Sequence, residues 1–130
     1  MSRSKKFEIL GNPVPLARAR TNKGRFYDSQ KQLKVHWRNE LENQHQEEPF
    51  FCGPLFLEII FFMPIPKHSR DLRGFHHHIR PDLSNLIKFI EDAAQGVLYE
   101  DDAIIASISA EKRYDNEPRT EFILTELVEL

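Results

Sequence analysis

The stretch Arg80–Asp102, RPDLSNLIKFIEDAAQGVLYEDD, decides the fold of this chain, because it holds one amphipathic segment with acidic residues at both ends. Its apolar residues recur at the i, i+3, i+4, i+7 spacing that gives an α-helix one buried face. They are Leu83, Leu86, Ile87, Ile90, Ala93, Ala94 and Val97. Asp82 stands where a carboxylate caps a first turn, and Gly96 stands where a left-handed residue ends a helix. We therefore predict a helix between Asp82 and Gly96, with Asp101 and Asp102 just beyond it.

The acidic residues at the two ends of this segment have a structural and a chemical interpretation. In the first, Asp82 is only a helix cap and Asp101–Asp102 is a solvated turn, and spacing alone favours this reading. In the second, the carboxylates hold a hard cation such as Mg²⁺, which takes carboxylate oxygens together with water and phosphate. Phosphodiester cleavage uses such ions to activate water. Lys88 lies on the polar face about two turns from Asp82, where its ammonium would reach a bound phosphate.

The order of these residues is also a pattern. It runs Asp-Leu-x-Asn-Leu-x-Lys, then Asp-Ala, then Asp-Asp before an aliphatic strand, and it occupies residues 82–88, 92–93 and 101–102. This pattern resembles the RusA family of Holliday junction resolvases. GNPVPLARAR with the later GRFYDS resembles the N-terminal loop of that family, and EKRYDNEPRTEFILTEL resembles its closing β-hairpin. The resemblance therefore covers most of the chain.

The resemblance implies a small homodimeric endonuclease that uses Mg²⁺ or Mn²⁺ to nick four-way or branched DNA in recombination and repair. A two-fold dimer suits a two-fold junction, because each subunit cuts one of two opposed strands. The resemblance also implies a cluster of metal carboxylates supported by a lysine. The implied catalytic residues are Asp82, Asp101, Asp102 and Lys88, and the implied metal ligands are the three aspartates.

One position departs from the family pattern. The family typically has a second Asp two residues after the first, and this chain has Ser84 there. A hydroxyl is a neutral and poorer ligand, so one charge is missing, and Asp92, Glu100 or Asp101 are candidates to replace it. The alternative function is therefore a junction-binding protein whose cleavage is weakened or lost. A third interpretation, from another class, is a protein-interaction module in which these acids have no catalytic role.

Charge is distributed unevenly along the chain. Residues 1–40 contain ten Lys or Arg against three Asp or Glu, whereas the remaining residues contain eight against seventeen, and the net charge is −2. A basic N-terminal region that binds phosphates, together with an acidic region that binds cations, is typical of an enzyme that acts on nucleic acid. The alternative is ordinary surface scatter. The predicted phosphate-contacting residues are Arg18, Arg20, Lys23, Arg25 and Arg80.

Length and composition bound the remaining possibilities. At 130 residues and 40% hydrophobic content, we predict one globular domain over residues 1–130. The apolar runs are far shorter than a membrane span, and the N-terminus lacks the apolar segment of a secretory signal. Cys52 is the single cysteine, so no intramolecular disulfide forms. We expect a cytoplasmic protein.

We predict an α+β fold, RusA-like, with a mixed sheet of about four strands and two main helices in the order β-α-β-α-β-β. The first helix is expected to start after a cap at Asp28 or Ser29 and to end near His45. The strands are expected at 6–10, 55–63, 103–113 and 120–127. The near-continuous apolar run at 55–63 predicts burial on both faces of that strand. Residues 11–28 and 64–81 are predicted loops.

Three further features each have two interpretations. Trp37 is expected to be a core anchor rather than a base-stacking residue. His76–His78 lack a ligand spacing, so we expect exposed or DNA-facing histidines rather than a zinc site. Phe75 is expected to plug the core, with a wedge in distorted DNA as the alternative.

Overall fold

The computed structural model describes residues 3–17, 20–22, 25–27 and 29–128, and the segments 20–22 and 25–27 are described by their backbone alone. The helices are α1 (Lys31–His45) and α2 (Leu83–Ala94). A short 3₁₀ turn, Asp102–Ile104, follows α2. The strands are β1 (Ser4–Leu10), β2 (Arg20–Asn22), β3 (Arg25–Tyr27), β4 (Leu55–Pro64), β5 (Ile105–Asp115) and β6 (Arg119–Glu126).

The main sheet has four strands in the order β1-β6-β4-β5. β6 pairs antiparallel with β1 and β4, while β4 pairs parallel with β5. The predicted α+β fold with a mixed four-stranded sheet and two helices is therefore confirmed. β2 and β3 form a separate two-stranded hairpin, so the prediction that all of 11–28 is loop was wrong. In the described part of the chain, no helix has the length and apolar character to cross a bilayer.

One face of the sheet packs against both helices and forms the core. Phe122 of β6 lies opposite Phe7 of β1 and Ile59 of β4, and the rings of Phe7 and Phe122 stack at 5.3 Å. Along β4 the residues alternate between buried and half-buried or exposed. The prediction that β4 is buried on both faces was wrong, because a sheet with helices on one face leaves the other face open.

Helix α1 begins later than predicted. Its N-cap residue is Gln30, which makes no side-chain cap hydrogen bond, so a cap at Ser29 is wrong, and Asp28 lies outside the described residues. The helix ends at His45 as predicted. Trp37 is 3% exposed and meets Phe89 of α2 edge-on at 5.1 Å, which confirms it as a core anchor.

Helix α2 and its end agree with the prediction. Leu86, Phe89, Ile90, Ala93 and Ala94 face the core, and Gly96 has a φ of 83°, which favours glycine. A helix leaves its last carbonyls without partners. The Arg38 guanidinium of α1 donates to two of them, those of Asp92 at 3.1 Å and Ala93 at 3.3 Å. The two helices are thereby fastened at the C-terminal end of α2.

Residues 74–81, which we call the strap, run along the edge of β5. Backbone hydrogen bonds join Gly74 and Phe75 to Tyr114, and His77 to Lys112. His77 is buried with its ring 4.9 Å from that of Tyr114, so the expectation of an exposed histidine was wrong for His77, although His76 and His78 are exposed. Phe75 is 56% exposed, and its predicted place in the core was wrong because its backbone is held at the edge of β5 by a hydrogen bond with Tyr114.

Candidate metal and nucleic-acid site

The residues Asp101 and Asp102 form an acidic turn, which we call the acid turn, against the C-terminal end of α2. The Asp101 carboxylate accepts the backbone N–H of Ala103 at 2.9 Å and caps the 3₁₀ turn. The backbone N–H of Asp102 donates to the side-chain oxygen of Gln95 at 3.0 Å. Gln95 is the C-cap residue of α2. The helix end therefore holds Asp102, and Asp101 caps the turn that follows.

The acid turn is crowded with negative charge. Partial burial, followed by repulsion from Asp101 and Asp92, raises the pKa of the Asp102 carboxyl above its ordinary value. Burial and then Asp102 also raise the pKa of Glu91, while the Lys88 ammonium lowers it. A group of carboxylates that repel one another is a group that a cation stabilises. The electrostatics of the acid turn therefore favour a bound cation.

Asp82 lies at the opposite end of α2. It is the N-cap residue, without a side-chain cap bond, and its exposed carboxylate is 3.9 Å from the Arg80 guanidinium. A helix of this length is about 18 Å long at 1.5 Å per residue. Within one chain, then, Asp82 stands apart from the acid turn.

Among residues 3–17, 20–22, 25–27 and 29–128, no three His, Cys, Asp or Glu side chains come together in an arrangement that could hold a metal ion. Mg²⁺, however, is commonly held by one or two carboxylates with water and substrate phosphate completing its shell. The Asp101–Asp102 pair, with its mutual repulsion, fits such an ion. Asp82 does not belong to that pair.

An exposed stripe on α2 links the two acidic ends. Ser84, Lys88, Glu91 and Gln95 follow one another at i+4, i+3 and i+4, so they share one side of the helix. Ser84 and Lys88 are exposed and Glu91 is half-buried. Lys88 therefore lies between Asp82 and the acid turn, as a phosphate-binding lysine would. Glu91 and Gln95 lie three and seven residues after Lys88, on the same side of the helix. That spacing would have marked them as neighbours of the site, but the sequence analysis did not single them out.

Asp92 has a structural role in this arrangement. Its carboxylate pairs with the Lys34 ammonium of α1 at 2.9 Å, and its backbone carbonyl accepts from Arg38. Both contacts tie α1 to α2. Asp92 is therefore poorly suited to supply the charge that Ser84 lacks, although it contributes to the negative field at Asp102.

Lys112 was not identified from the sequence, yet it supports the Asp82 end. Its ammonium donates to the carbonyls of Ile79 and Pro81, each at 2.7 Å. Pro81 immediately precedes Asp82. Lys112 is part of β5, so the edge of the sheet positions the start of α2. No sequence signal marks this role, because the contact joins residues about thirty positions apart.

Residues 16–25, which we call the basic loop, begin beside the start of α2. The N–H of Leu16 donates to the carbonyl of Asn85 at 2.9 Å, and the N–H of Ala17 donates to the Gln30 side chain at 2.8 Å. Hairpin β2–β3 follows directly. Of the predicted phosphate-contacting residues, Arg18 and Lys23 lie outside the described residues. Arg20 and Arg25 lie on the hairpin strands, and Arg80 is exposed next to Asp82.

Three cations near the N-terminus form ion pairs with carboxylates of the protein itself. Arg3 and Lys5 pair with Glu48 at 3.3 and 3.6 Å, and Lys6 pairs with Glu121 at 2.6 Å. These cations hold β1 to its neighbours. These three cations are therefore already paired with carboxylates of the protein.

Two comparisons with known proteins indicate the family of this chain. The sequence model for endodeoxyribonuclease RusA matches residues 11–125, which include α2, the acid turn and the hairpin. The chain is also 25% identical over 143 residues to the uncharacterized protein YqaN of Bacillus subtilis (strain 168), covering 94% of this chain and 96% of that protein. The match extends along nearly the whole length of both.

Proposed function

This chain belongs to the RusA endodeoxyribonuclease family, and from that premise we propose that it is a structure-selective nuclease that nicks four-way or branched DNA. The observation that carries the proposal is the acid turn, in which two adjacent carboxylates, Asp101 and Asp102, are held against the end of α2 by the Gln95 side chain. Lys88 is exposed on α2, and Leu16, which precedes the basic residues of the N-terminal loop, bonds to Asn85 of the same helix. The biological setting that fits this activity is DNA recombination and repair in the cytoplasm.

In this proposal Asp101 and Asp102 would hold the cation. Asp82, about 18 Å from them within one chain, would join them as the third metal carboxylate from the second copy of the proposed homodimer. The chemistry that a Mg²⁺ or Mn²⁺ held there would supply is activation of water and compensation of charge on the leaving oxygen. The Lys88 ammonium binds the scissile phosphate and stabilises the negative charge that develops on it.

Affinity for DNA comes from cations that contact phosphates without reading bases. The proposed contacts are Arg18, Arg20, Lys23, Arg25 and Arg80. Because Arg80 neighbours Asp82 and the basic loop starts beside Asn85, these contacts would place a phosphate at the first turn of α2. A symmetric homodimer then presents two such sites to the two opposed strands of a junction.

The test is a nicking assay on a labelled four-way junction with and without Mg²⁺. We expect wild type to nick the junction only with the metal, and Asp82→Asn and Asp102→Asn to bind it with at least 100-fold slower nicking. Asp71→Asn is the matched control, because it removes the same charge from an exposed pair with Arg73, and it should nick like wild type. Wild-type rates in Asp102→Asn would overturn the proposal.

The second candidate is a junction-binding protein with weakened or lost cleavage. It is favoured by the exposed Ser84 hydroxyl at a position where the family typically has an acid. It predicts junction binding without nicking by wild type, and nicking by Ser84→Asp, whose carboxylate would add the missing charge at the first turn of α2. Equal, measurable nicking by wild type and Ser84→Asp would exclude it.

A further inference from the structure

An open cleft of about 540 Å³, which we call the side cleft, lies between the segment before β4 and the acid turn. The residues that line it include Phe50, Phe51, Cys52, Glu100, Asp101 and Ile104. Asp101 therefore belongs both to the side cleft and to the acid turn. A group bound in the side cleft would lie directly beside a cation held by the acids.

Residues 50–53 form one wall of the side cleft, and hydrogen bonds from the ends of two strands hold this wall in place. The carbonyl of Phe50 accepts from the guanidinium of Arg3, just before β1, at 3.2 Å. The N–H of Cys52 donates to the carboxylate of Glu126, at the end of β6, at 2.8 Å. The main sheet therefore fixes the backbone that carries the Phe50 ring.

The wall also lies against the acid turn. A Cβ added at Gly53 would come within 2.6 Å of the Cβ of Ile104, and Ile104 ends the 3₁₀ turn that Asp101 caps. The absence of a side chain at Gly53 permits this close approach. The wall and the acid turn are thus packed together, so a group in the side cleft has a defined position relative to the carboxylates.

The side cleft has an aromatic and apolar wall and an acidic rim. Phe50 is 41% exposed although its backbone is fixed, and Ile104 is half-buried. Exposed aromatic side chains are the platforms on which proteins stack the bases of unpaired nucleic acid. Among the described residues, no cation lines the side cleft, so its lining does not suit a phosphate. The part of a nucleotide that suits it is the base.

A base can enter the side cleft only if it leaves the stack of its own strand. Extruding a base costs free energy, and the cost is lowest where the base is already unpaired or poorly stacked. A branch point interrupts the continuous stack of a duplex, whereas a linear duplex does not. A cleft that accepts one base therefore favours branched DNA over linear DNA.

We propose that the side cleft binds the base of a nucleotide next to the scissile phosphate, with that base stacked on the Phe50 ring. This inference rests on the proposed nuclease function, because a cation at the acid turn would bring the phosphate to Asp101. Every base has an aromatic face, so the stacking requires no particular base. The carboxylates of Glu100 and Asp101 repel DNA when no cation is bound, so capture of the base requires a divalent cation.

The capture is tested by removing the base and the ring separately. An abasic nucleotide is placed in turn at each position beside the nick of a four-way junction. At one position it should slow nicking by wild type about tenfold. Phe50→Ala should nick the intact junction about tenfold more slowly than wild type and lose nothing further on the abasic junction.

Two further variants are the controls for Phe50→Ala. Phe50→Trp keeps an aromatic face and should nick like wild type. Leu33→Ala, at a 44% exposed apolar position on α1, should respond to the abasic nucleotide as wild type does. The proposal is overturned if the abasic nucleotide slows Phe50→Ala as much as wild type, or if it has no effect at any position.

The single cysteine reports on the same cleft without any substitution. Cys52 is exposed and lines the side cleft, so a captured base should shield its thiol from iodoacetamide. Alkylation should slow severalfold when wild type binds the junction with Ca²⁺, which takes oxygen ligands as Mg²⁺ does. It should stay fast with a linear duplex, with the junction in EDTA, and in Phe50→Ala bound to the junction. A thiol that reacts equally fast in free wild type and in its Ca²⁺ complex with the junction would contradict the capture.

The outcomes separate the side cleft from the proposed function. If wild type nicks the intact junction and no abasic position matters, the nuclease function stands and the side cleft fails. If wild type binds the junction without nicking it, the nuclease function fails, while the alkylation rate of Cys52 still decides whether a base is captured. If wild type binds no junction even with a divalent cation, both fail.

Discussion

The side-chain oxygen of Gln95 accepts the backbone N–H of Asp102 at 3.0 Å, so the residue that ends α2 also holds the acid turn. Replacing Gln95 by Leu removes this bond, which contributes about 1 kcal/mol to the free energy of unfolding. We expect a small loss of stability but a loss of Mg²⁺-dependent nicking of at least tenfold, measured on the same preparation.

The control for Gln95 is Gln44→Leu. The Gln44 amide bonds both backbone groups of Glu8 at 3.0 and 2.7 Å, far from the acid turn. Its loss should cost comparable stability without a change in nicking. If the two variants lose nicking equally, stability rather than geometry explains the effect.

Gly53 gives a second prediction, because the segment before β4 passes very close to the acid turn. A Cβ added at Gly53 would lie 2.6 Å from the Cβ of Ile104, two residues after Asp102. We expect Gly53→Ala to lower stability by about 1–3 kcal/mol and to displace the acid turn. Chemical denaturation and Mn²⁺ affinity are the two measurements. Adding Ile104→Gly removes the atom that clashes and should restore part of the Mn²⁺ affinity; unchanged affinity in Gly53→Ala alone would contradict this account.

Asp92 gives the third prediction, and it separates structural from metal-binding acids. Its carboxylate pairs with Lys34 at 2.9 Å, so Asp92→Asn should lower the free energy of unfolding by about 1 kcal/mol or less. Nicking should remain within about threefold of wild type, because Asp92 is assigned to the contact between helices. A loss of nicking as large as that of Asp102→Asn would instead make Asp92 the acid that compensates for Ser84.

His45 gives a prediction about pH. The ring is 4% exposed, and neither ring nitrogen has a hydrogen-bond partner among the described residues. Burial, then the charges of Arg3 and Lys5, lower its pKa below the ordinary 6.5, against an opposing effect of Glu48. The unfolded chain therefore binds more protons below pH 6.5, and stability falls as pH decreases from there toward the folded pKa.

The measurement is denaturant unfolding of wild type and His45→Leu at pH 7.5 and pH 5.5. Wild type should lose stability at the lower pH by up to about 1.4 kcal/mol per pH unit from this histidine. His45→Leu should lose less, with the remaining loss coming from groups such as His77, whose pKa is also lowered by burial. Equal losses in the two proteins would show that His45 does not titrate in this range.

The features predicted correctly from the sequence are those that depend on residues close together in the chain. The apolar period of α2, its end at Gly96 and the buried Trp37 follow from contacts within a few residues, so all were predicted correctly. The exposure of Phe75 and the burial of His77 were missed because the strap is positioned by β5, about forty residues away. The open outer face of β4 was missed because a run of apolar residues does not tell how many helical layers cover a sheet.

The prediction that the acids flanking α2 form one metal site has the same weakness, because the sequence does not give their distance in the fold. Asp82 and Asp102 flank one helix, and the rise of that helix keeps its ends about 18 Å apart. The roles assigned to Asp82, Asp101, Asp102 and Lys88 remain predictions. Gln95 and Lys112, which position the two acidic ends, act through tertiary contacts that no motif contains.

The central claim is that the protein cuts branched DNA with a divalent cation. The most direct measurement incubates it with a four-way junction and with a linear duplex of the same sequence, each labelled on every strand, across a Mg²⁺ titration. We predict paired nicks on opposed strands of the junction, dependent on Mg²⁺, with the duplex left uncut. Failure to cut the junction at any Mg²⁺ concentration, or equal cutting of the duplex, would contradict the account.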